Sequence, residues 1–530
     1  MIMKQISVKI LILFIATFTC IACSDEREDD ANGNGIIIED EISKTIAPVL
    51  DLMAEPTSLE KEIKLSWKNP PDDHLFKVEI FFEAIGPKTK ASANPTLIDA
   101  IKSEEMTCLI TVPEYTTYRV DVVAINKAGA RSIKKSLEVT PLGPDEVVSI
   151  PLFLARADTV MTALTRLYLG GPRDVWNSSY PNATGPYWNG DATVWGQGGG
   201  FSAYAAIREA SVGTDLQTKY QALDTRMLTS INKFITNDKN IAAYAVYPAD
   251  GNDRYYDDNA WIGLDMIDLY LLSNKTKSQY LDKAVMVWEY LRKGTDNIAG
   301  GGIHWREIPP PGSKHTCSTA PGAVLAAKLY MATGEEKYLQ NAKELYTWMK
   351  NTLQDSSDML YWDNAREENG EIIIDKNKYS YNSGQPMQAA ALLYGITKDE
   401  AYLTDARAIA EPAYRRWFRE YYSSPLQESI RILHGHTWFN AILFRGFIEL
   451  YKTEKELYGD ADRKYILAYE KSLSHAWLSN CRQNTNLFND DFTGASSQSS
   501  WDILFQGAVV EMLARLASLE RDETMKDLPV

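Results

Sequence analysis

The feature that most constrains this chain is an alternation between two kinds of junction. From about residue 151 onward the apolar residues recur with a helical period, giving twelve candidate helices. Some junctions are short turns, "SNKTKSQYLDKA", "TGEEKYLQNAKE" and "TKDEAYLTDARA". These share a Tyr-Leu-x-x-Ala core at Tyr280-Leu281, Tyr338-Leu339 and Tyr402-Leu403, with weaker relatives near Tyr220 and Tyr465. The other junctions are long and rich in aromatic, glycine and amide residues, and each leads into the second helix of a hairpin. They include "YWNGDATVWGQGGG", "YAVYPADGNDRYYDD", "GGGIHWREIPPPGSKHTCS" and "LQESIRILHGHTW". The pattern predicts a mainly α fold, an (α/α)6 six-hairpin toroid over residues 151–520. Short turns would lie on one face and long loops on the other, with the second helix of each pair lining the barrel. An open helical solenoid is the alternative; six units is the number that closes the toroid. Function concentrates in long loops held by a rigid scaffold, so the cleft belongs on the long-loop face.

Residues 45–142 alternate instead of following a helical period. In "EIKLSWKNP" Ile63, Leu65 and Trp67 share one face, and "FKVEIFFEA" and "YRVDVVAIN" alternate likewise between turn residues. Short strands at this spacing predict a small all-β sandwich with no catalytic constellation, a spacer or docking module. The Leu-Ser-Trp strand and "TTYRVDVVAINKAGARS" resemble a fibronectin type III domain, which implies an immunoglobulin-like sandwich. Ahead of it, Lys4 and Lys9 precede the apolar run Ile10–Phe18, a signal-peptide pattern too short for a membrane span. The sequence Cys20-Ile21-Ala22-Cys23-Ser24 resembles a bacterial lipobox, with Cys20 where leucine is usual. It implies a signal peptide over 1–22 and lipidation of Cys23. The acidic run Ser24–Asp30 resembles the export signal that sends Bacteroidetes lipoproteins to the outer face of the outer membrane. Residues 23–44 read as an acidic flexible tether, so the expectation is an outer-membrane lipoprotein facing the cell exterior.

A formal net charge of −16 argues against a nucleic-acid partner, which needs a basic stripe to displace counterions. Cys108, Cys317 and Cys481 are far apart, show no metal-ligand spacing and read as small core residues. His434-Gly435-His436 lacks a third ligand, and "DGND" and "NDD" match no calcium-loop spacing. The expectation is therefore a monomer without metal or cofactor.

The sharpest local feature is "YYDDNAW" at 255–261, at the end of the second long loop. An acidic pair before a helix most often caps it and complements the macrodipole. Capping needs one Asp, however, and explains neither the second nor the aromatic setting. Glycoside hydrolysis needs two carboxyls with opposite jobs, one protonated and one ionised. Adjacent residues at a helix entry can supply both, because an ionised neighbour raises the pKa of the other carboxyl while helix N–H groups hold the first ionised.

With "WGQG" at 195–198, "GGGIHW" at 300–305 and "YSYNSGQ" at 379–385, this stretch resembles glycoside hydrolase family 76 over about residues 155–518. The resemblance implies a retaining endo-α-1,6-mannanase acting on α-mannan, with Asp257 as nucleophile and Asp258 as general acid/base. Sugar contacts are expected from Trp195, Gln197, Tyr247, Tyr256, Asn259, Trp261, Trp305, Tyr381, Asn382 and Gln385. The sequence departs from the family pattern at His304-Trp305, in "HTCSTAPGAV", and at Ser383 in "YNSGQP", positions that bear on subsite specificity. Two other readings stay open: a surface glycan-binding protein that keeps the fold without turnover, and an α/α-barrel glycosidase of different sugar specificity. An enzyme acting on unsaturated uronides would want cations, for which Arg306 and Lys314 are the candidates.

Overall fold

The computed structural model describes residues 45–524, apart from 57–61, 86–95, 100–104, 113–115, 142–151, 170–172, 182–189, 239, 249–252 and 308–311. The signal peptide, the lipidation at Cys23 and the tether lie outside the described residues. The chain divides into two compact units, one ending at Val147 and the other beginning at Val148.

The first unit contains β1 (Leu50–Pro56), β2 (Glu62–Lys68), β3 (Leu75–Ala84), β4 (Thr96–Asp99), β5 (Glu105–Thr111), β6 (Tyr118–Asn126) and β7 (Lys135–Val139). They form two antiparallel sheets, ordered β1-β2-β5 and β4-β3-β6-β7. Alternation along a strand sends every second side chain to one face. Ile63, Leu65 and Trp67 from one sheet accordingly join Val78, Ile80, Val120 and Val122 from the other in a single buried cluster.

The second unit contains α1 (Leu152–Tyr168), α2 (Val194–Ala210), α3 (Gln217–Gln221), α4 (Asp224–Asn232), α5 (Tyr256–Leu272), α6 (Ser278–Lys293) and α7 (Thr316–Thr333). These are followed by α8 (Glu336–Leu353), α9 (Tyr381–Thr397), α10 (Glu400–Trp417), α11 (Thr437–Tyr458), α12 (Lys464–Leu478) and α13 (Ile503–Thr524). Helices α2, α5, α7, α9, α11 and α13 each pack on the next, and α13 packs back on α2, which closes the ring. The helices of this ring are buried nearly all round, as α7 and α9 show, whereas α6 and α8 bury one stripe and lie outside. The second outer position, read from sequence as one helix, is split into α3 and α4.

The tyrosine repeat joins successive outer helices edge to face. Tyr338 meets Trp288 at 5.9 Å, Tyr402 meets Tyr346 at 5.4 Å, and Tyr465 meets Tyr414 at 5.4 Å between ring centroids. The closing joint between α2 and α13 depends on small residues. A Cβ on Gly507 would lie 2.4 Å from the carbonyl oxygen of Gly199. Within the ring, Arg445 of α11 binds Glu511 of α13 at 2.7 Å and Asp265 of α5 at 3.3 Å. It also donates to Ser202 of α2 at 3.2 Å, so one buried guanidinium links four inner helices.

Candidate active site

The six inner helices present equivalent positions to the long-loop face. Their second residues are Trp195, Asp257, Cys317, Asn382, Trp438 and Leu504, and their fourth are Gln197, Asn259, Thr319, Gly384, Asn440 and Gln506. The fourth position ties the long loop down. Gln197 accepts from the Trp176 amide at 3.0 Å and donates to the Trp176 carbonyl at 2.8 Å. Asn259 makes the same pair of bonds with Tyr244, both at 2.8 Å, and Gln506 with Phe488, both at 2.8 Å. Thr319 accepts from the Ile303 amide at 2.9 Å, and Asn440 donates to the His434 carbonyl at 3.0 Å. A side-chain amide here replaces the strand partner that a buried loop backbone would otherwise lack.

Asp257 and Asp258 are the second and third residues of α5. The N-cap is Tyr255, which is extended and makes no side-chain capping bond, so neither aspartate caps the helix. Both keep part of their surface open, yet protein surrounds their carboxyls. Burial is the main cause that raises both pKa values. For Asp257 the backbone amides of Asp258 and Asp257, the Cys317 thiol and the Trp305 indole pull in the opposite direction, and the result is about 6. Asp258 rises well above the ordinary carboxylate range, through burial and then the charges of Asp257 and Asp253, with no donor to relieve it. The pair therefore loses its first proton from Asp257 and keeps the second on Asp258, the division that general acid plus nucleophile requires.

Trp305, 41% exposed, donates from Nε1 to Oδ2 of Asp257 at 3.1 Å. Its ring is fixed by stacking on His315, centroids 5.6 Å apart, and by the edge of Tyr255 at 5.0 Å. Trp195, 36% exposed, lies parallel to His436 with centroids 6.1 Å apart. His436 stacks on Phe439 at 4.0 Å, and Phe439 on Tyr381 at 4.2 Å, with Tyr379 beyond at 6.0 Å. Burial pushes the His436 pKa down to about 4, so this row is neutral at neutral pH. Trp195, Tyr247, His436 and Phe505, with Asp191 and Asp502, line a cavity of about 400 Å³.

Several of the residues expected to contact sugar are buried and engaged within the protein. Gln197 and Asn259 are 1% and 0% exposed and spend their amides on the loop backbone. Tyr256 is buried against Tyr290, centroids 4.6 Å apart. Trp261 is buried under Trp438 and Tyr381, meeting them edge-on at 5.2 and 6.3 Å. Asn382 and Gln385 are fully buried; Asn382 donates to Asp363 at 2.9 Å and Gln385 to Gln388 at 2.9 Å. Trp195, Tyr247, Trp305 and Tyr381 retain exposed surface. Lys314 is a buried internal tie, bonded to Asp296 at 2.8 Å and to the carbonyls of Gly294 and Gly302, so the uronide reading loses one of its two cations. Arg306 sits over the Tyr255 ring at 5.6 Å. Sequence reasoning missed Cys317, which faces Asp257 and Tyr381, and Asp363, which faces Asn382. Among the described residues no group of three or more His, Cys, Asp or Glu side chains could hold a metal ion.

Residues 154–527 match the family Glycosyl hydrolase family 76. A solved family 76 glycoside hydrolase from a bovine Bacteroides thetaiotaomicron strain is 40% identical, with a TM-score of 0.67 over 90% of this chain and 100% of that one. A second, a family 76 glycoside hydrolase (mannosidase) from Bacteroides thetaiotaomicron VPI-5482, is 47% identical, with a TM-score of 0.68 over 70% of this chain and 100% of that one. A mannan endo-1,6-alpha-mannosidase of Candida albicans is 29% identical over 135 residues, 24% of this chain and 30% of that protein. The chain spans less than half the length of the curated relatives it matches. The match takes in every helix of the inner ring together with the aspartate pair at its rim, and the chain belongs to glycosyl hydrolase family 76.

Proposed function

We propose that this protein is a retaining, endo-acting α-1,6-mannanase that cleaves the α-mannan backbone at the cell surface. In the first step Asp257 attacks the anomeric carbon through Oδ2, and Asp258 gives its proton to the departing glycosidic oxygen. In the second, Asp258 takes a proton from water, which opens the glycosyl ester and restores both carboxyls. The observation that carries this reading is the split within the pair: donors converge on Asp257, while Asp258 has only burial and like charge around it. Exposed Trp305 against the pair, and Trp195 at the end of the aromatic row, offer faces on which pyranose rings stack. The choice of α-1,6-mannan rests on two fungal relatives described as mannan endo-1,6-alpha-mannosidases.

In this reading the seven strands form a fibronectin type III-like spacer, and Cys23 carries a lipid that holds the protein to the outer membrane with the cleft facing outward. The support is the two-sheet order of the first unit and the sequence features of residues 1–44. Digestion of linear α-1,6-mannan by the protein lacking residues 1–23 should release a ladder of oligosaccharides. Binding without release would favour the glycan-binding alternative. Loss of lipid labelling in Cys23→Ala checks the anchor, and labelling that persists would remove it.

A further inference from the structure

Oδ2 of Asp257 has the Trp305 indole, but Oδ1 is buried and makes no hydrogen bond. A buried carboxylate oxygen without a donor is costly; besides the Asp258 and Asp257 amides and the Trp305 indole, the one side chain that acts on this carboxyl as a donor is Cys317. Cys317 is the second residue of α7, as Asp257 is of α5, and these two inner helices pack side by side. The equivalent positions therefore stand next to each other on the cleft floor, with Asn382 of α9 on the far side of Cys317. Cys317 is 3% exposed.

We propose that Cys317 is a positioning residue for the nucleophile: its thiol donates to Oδ1 of Asp257 and holds that carboxylate with Oδ2 turned toward the sugar. Three observations agree. Cys317 holds on α7 the position that Asp257 holds on α5, the two helices pack on each other, and thiol and carboxyl influence each other electrostatically. Burial and then the charges of Asp257 and Asp363 keep it protonated, so it is a donor and not a competing thiolate. Cys481, the other buried cysteine of this unit, donates instead to the Asn489 carbonyl at 3.3 Å, which shows that a thiol in this fold can be spent on a single acceptor. The groups that face this corner from the packed elements are Asp258 on α5, Trp305 on the loop, Tyr381 on α9 and Asp363 beside it.

The inference rests on the assignment of Asp257 as nucleophile. During attack a bond forms between Oδ2 and the anomeric carbon, the glycosidic bond breaks, and the departing oxygen takes the proton of Asp258. The sulfur keeps its own proton throughout and goes on donating to Oδ1, which becomes the ester carbonyl. A thiol is a weaker donor than a hydroxyl, so cysteine leaves the nucleophile less acidic than serine would.

The test compares wild type, Cys317→Ala and Cys317→Ser, after circular dichroism has shown that each is folded. In Cys317→Ala the acid limb of kcat/KM on α-1,6-mannooligosaccharides should move to higher pH by about half a unit to one unit, a loss of about 3- to 10-fold on that limb. Cys317→Ser should restore the limb to the wild-type position or below it. A second readout needs no turnover: the carboxyl 13C resonance of Asp257, identified by its loss in Asp257→Asn, should titrate in the same order, Ala above Cys above Ser. Coincident titration in all three proteins would overturn the proposal. If the wild type cleaves no α-mannan, the functional reading fails while the 13C titration still decides the role of Cys317.

Discussion

Trp305 is tied to the start of α5 twice: its indole donates to Oδ2 of Asp257 at 3.1 Å, and its carbonyl accepts from the Tyr256 amide at 2.8 Å. The loop that delivers it turns through Gly302, whose φ is +78° and whose added Cβ would lie 2.4 Å from Trp348. Trp305→Phe keeps the stack on His315 and removes only the N–H. We expect kcat/KM to fall about 10-fold, the net worth of a hydrogen bond to a charged group, and the acid limb to move to higher pH. A pH–rate profile with the limb unmoved would mean that the indole does not hold the nucleophile.

The aspartate pair should also be visible in stability. Both folded-state pKa values lie above the unfolded value of about 3.9, so the pair's contribution is fully present below that pH. It is lost as pH rises through about 6, where Asp257 ionises, and further where Asp258 does. Asp258→Asn removes a carboxyl that ionises readily in the unfolded chain and resists ionising in the fold. Its Tm should exceed that of wild type at pH 8 and converge with it at pH 4, while activity falls by about three orders of magnitude or more. A lower Tm at pH 8 would show that Asp258 supports the fold.

The loop ties give a contrast between contacts that hold the fold and the exposed aromatic faces proposed to hold sugar. Asn259→Ala strips both bonds from the buried Tyr244 backbone and should destabilise by about 2–3 kcal/mol, read as a lower urea midpoint. Trp195→Ala should lower that midpoint less and weaken binding of long oligosaccharides. Equal midpoint losses in the two variants would remove the distinction.

That contrast also marks what the sequence could show. The alternation of short and long junctions was legible because each inner helix must be apolar all round and each outer one on a stripe only. The aspartate pair was legible because two carboxyls exceed what a helix entry needs. The direction of the amides was not. "WGQG" and "DDNA" look like sugar-binding motifs until the six helix starts are aligned on their first residue. Gln197, Asn259, Asn440 and Gln506 then share the fourth position, one residue before Gly or Ala. That position points toward the loop; the second carries Asp257 and Trp195, which keep exposed surface. A shift of two residues in a helix boundary exchanges the two positions, and a single sequence does not fix a boundary that closely. Cys317 was hidden for the same reason, since a small buried thiol looks alike in a core and beside a nucleophile.

Ring closure tests the packing account. In a helix interior Gly→Ala gains up to about 1 kcal/mol from propensity. At Gly507 the new methyl would meet the Gly199 carbonyl at 2.4 Å, whereas at Gly395 of α9 it would meet nothing within 4 Å. Overpacking costs about 1–3 kcal/mol, so it prevails at Gly507. Gly507→Ala should lower the Tm and Gly395→Ala should raise it slightly. A stabilised Gly507→Ala would mean that the α2–α13 joint is looser than described.

The central claim, that Asp257 forms a glycosyl ester which Asp258 then helps water to open, is tested most directly by proton NMR of α-1,6-mannan hydrolysis during the first turnovers. Double displacement predicts that new reducing ends appear first as the α anomer, with the β anomer growing in by mutarotation. Initial appearance of the β anomer would contradict the assignment and make Asp257 a base acting on water.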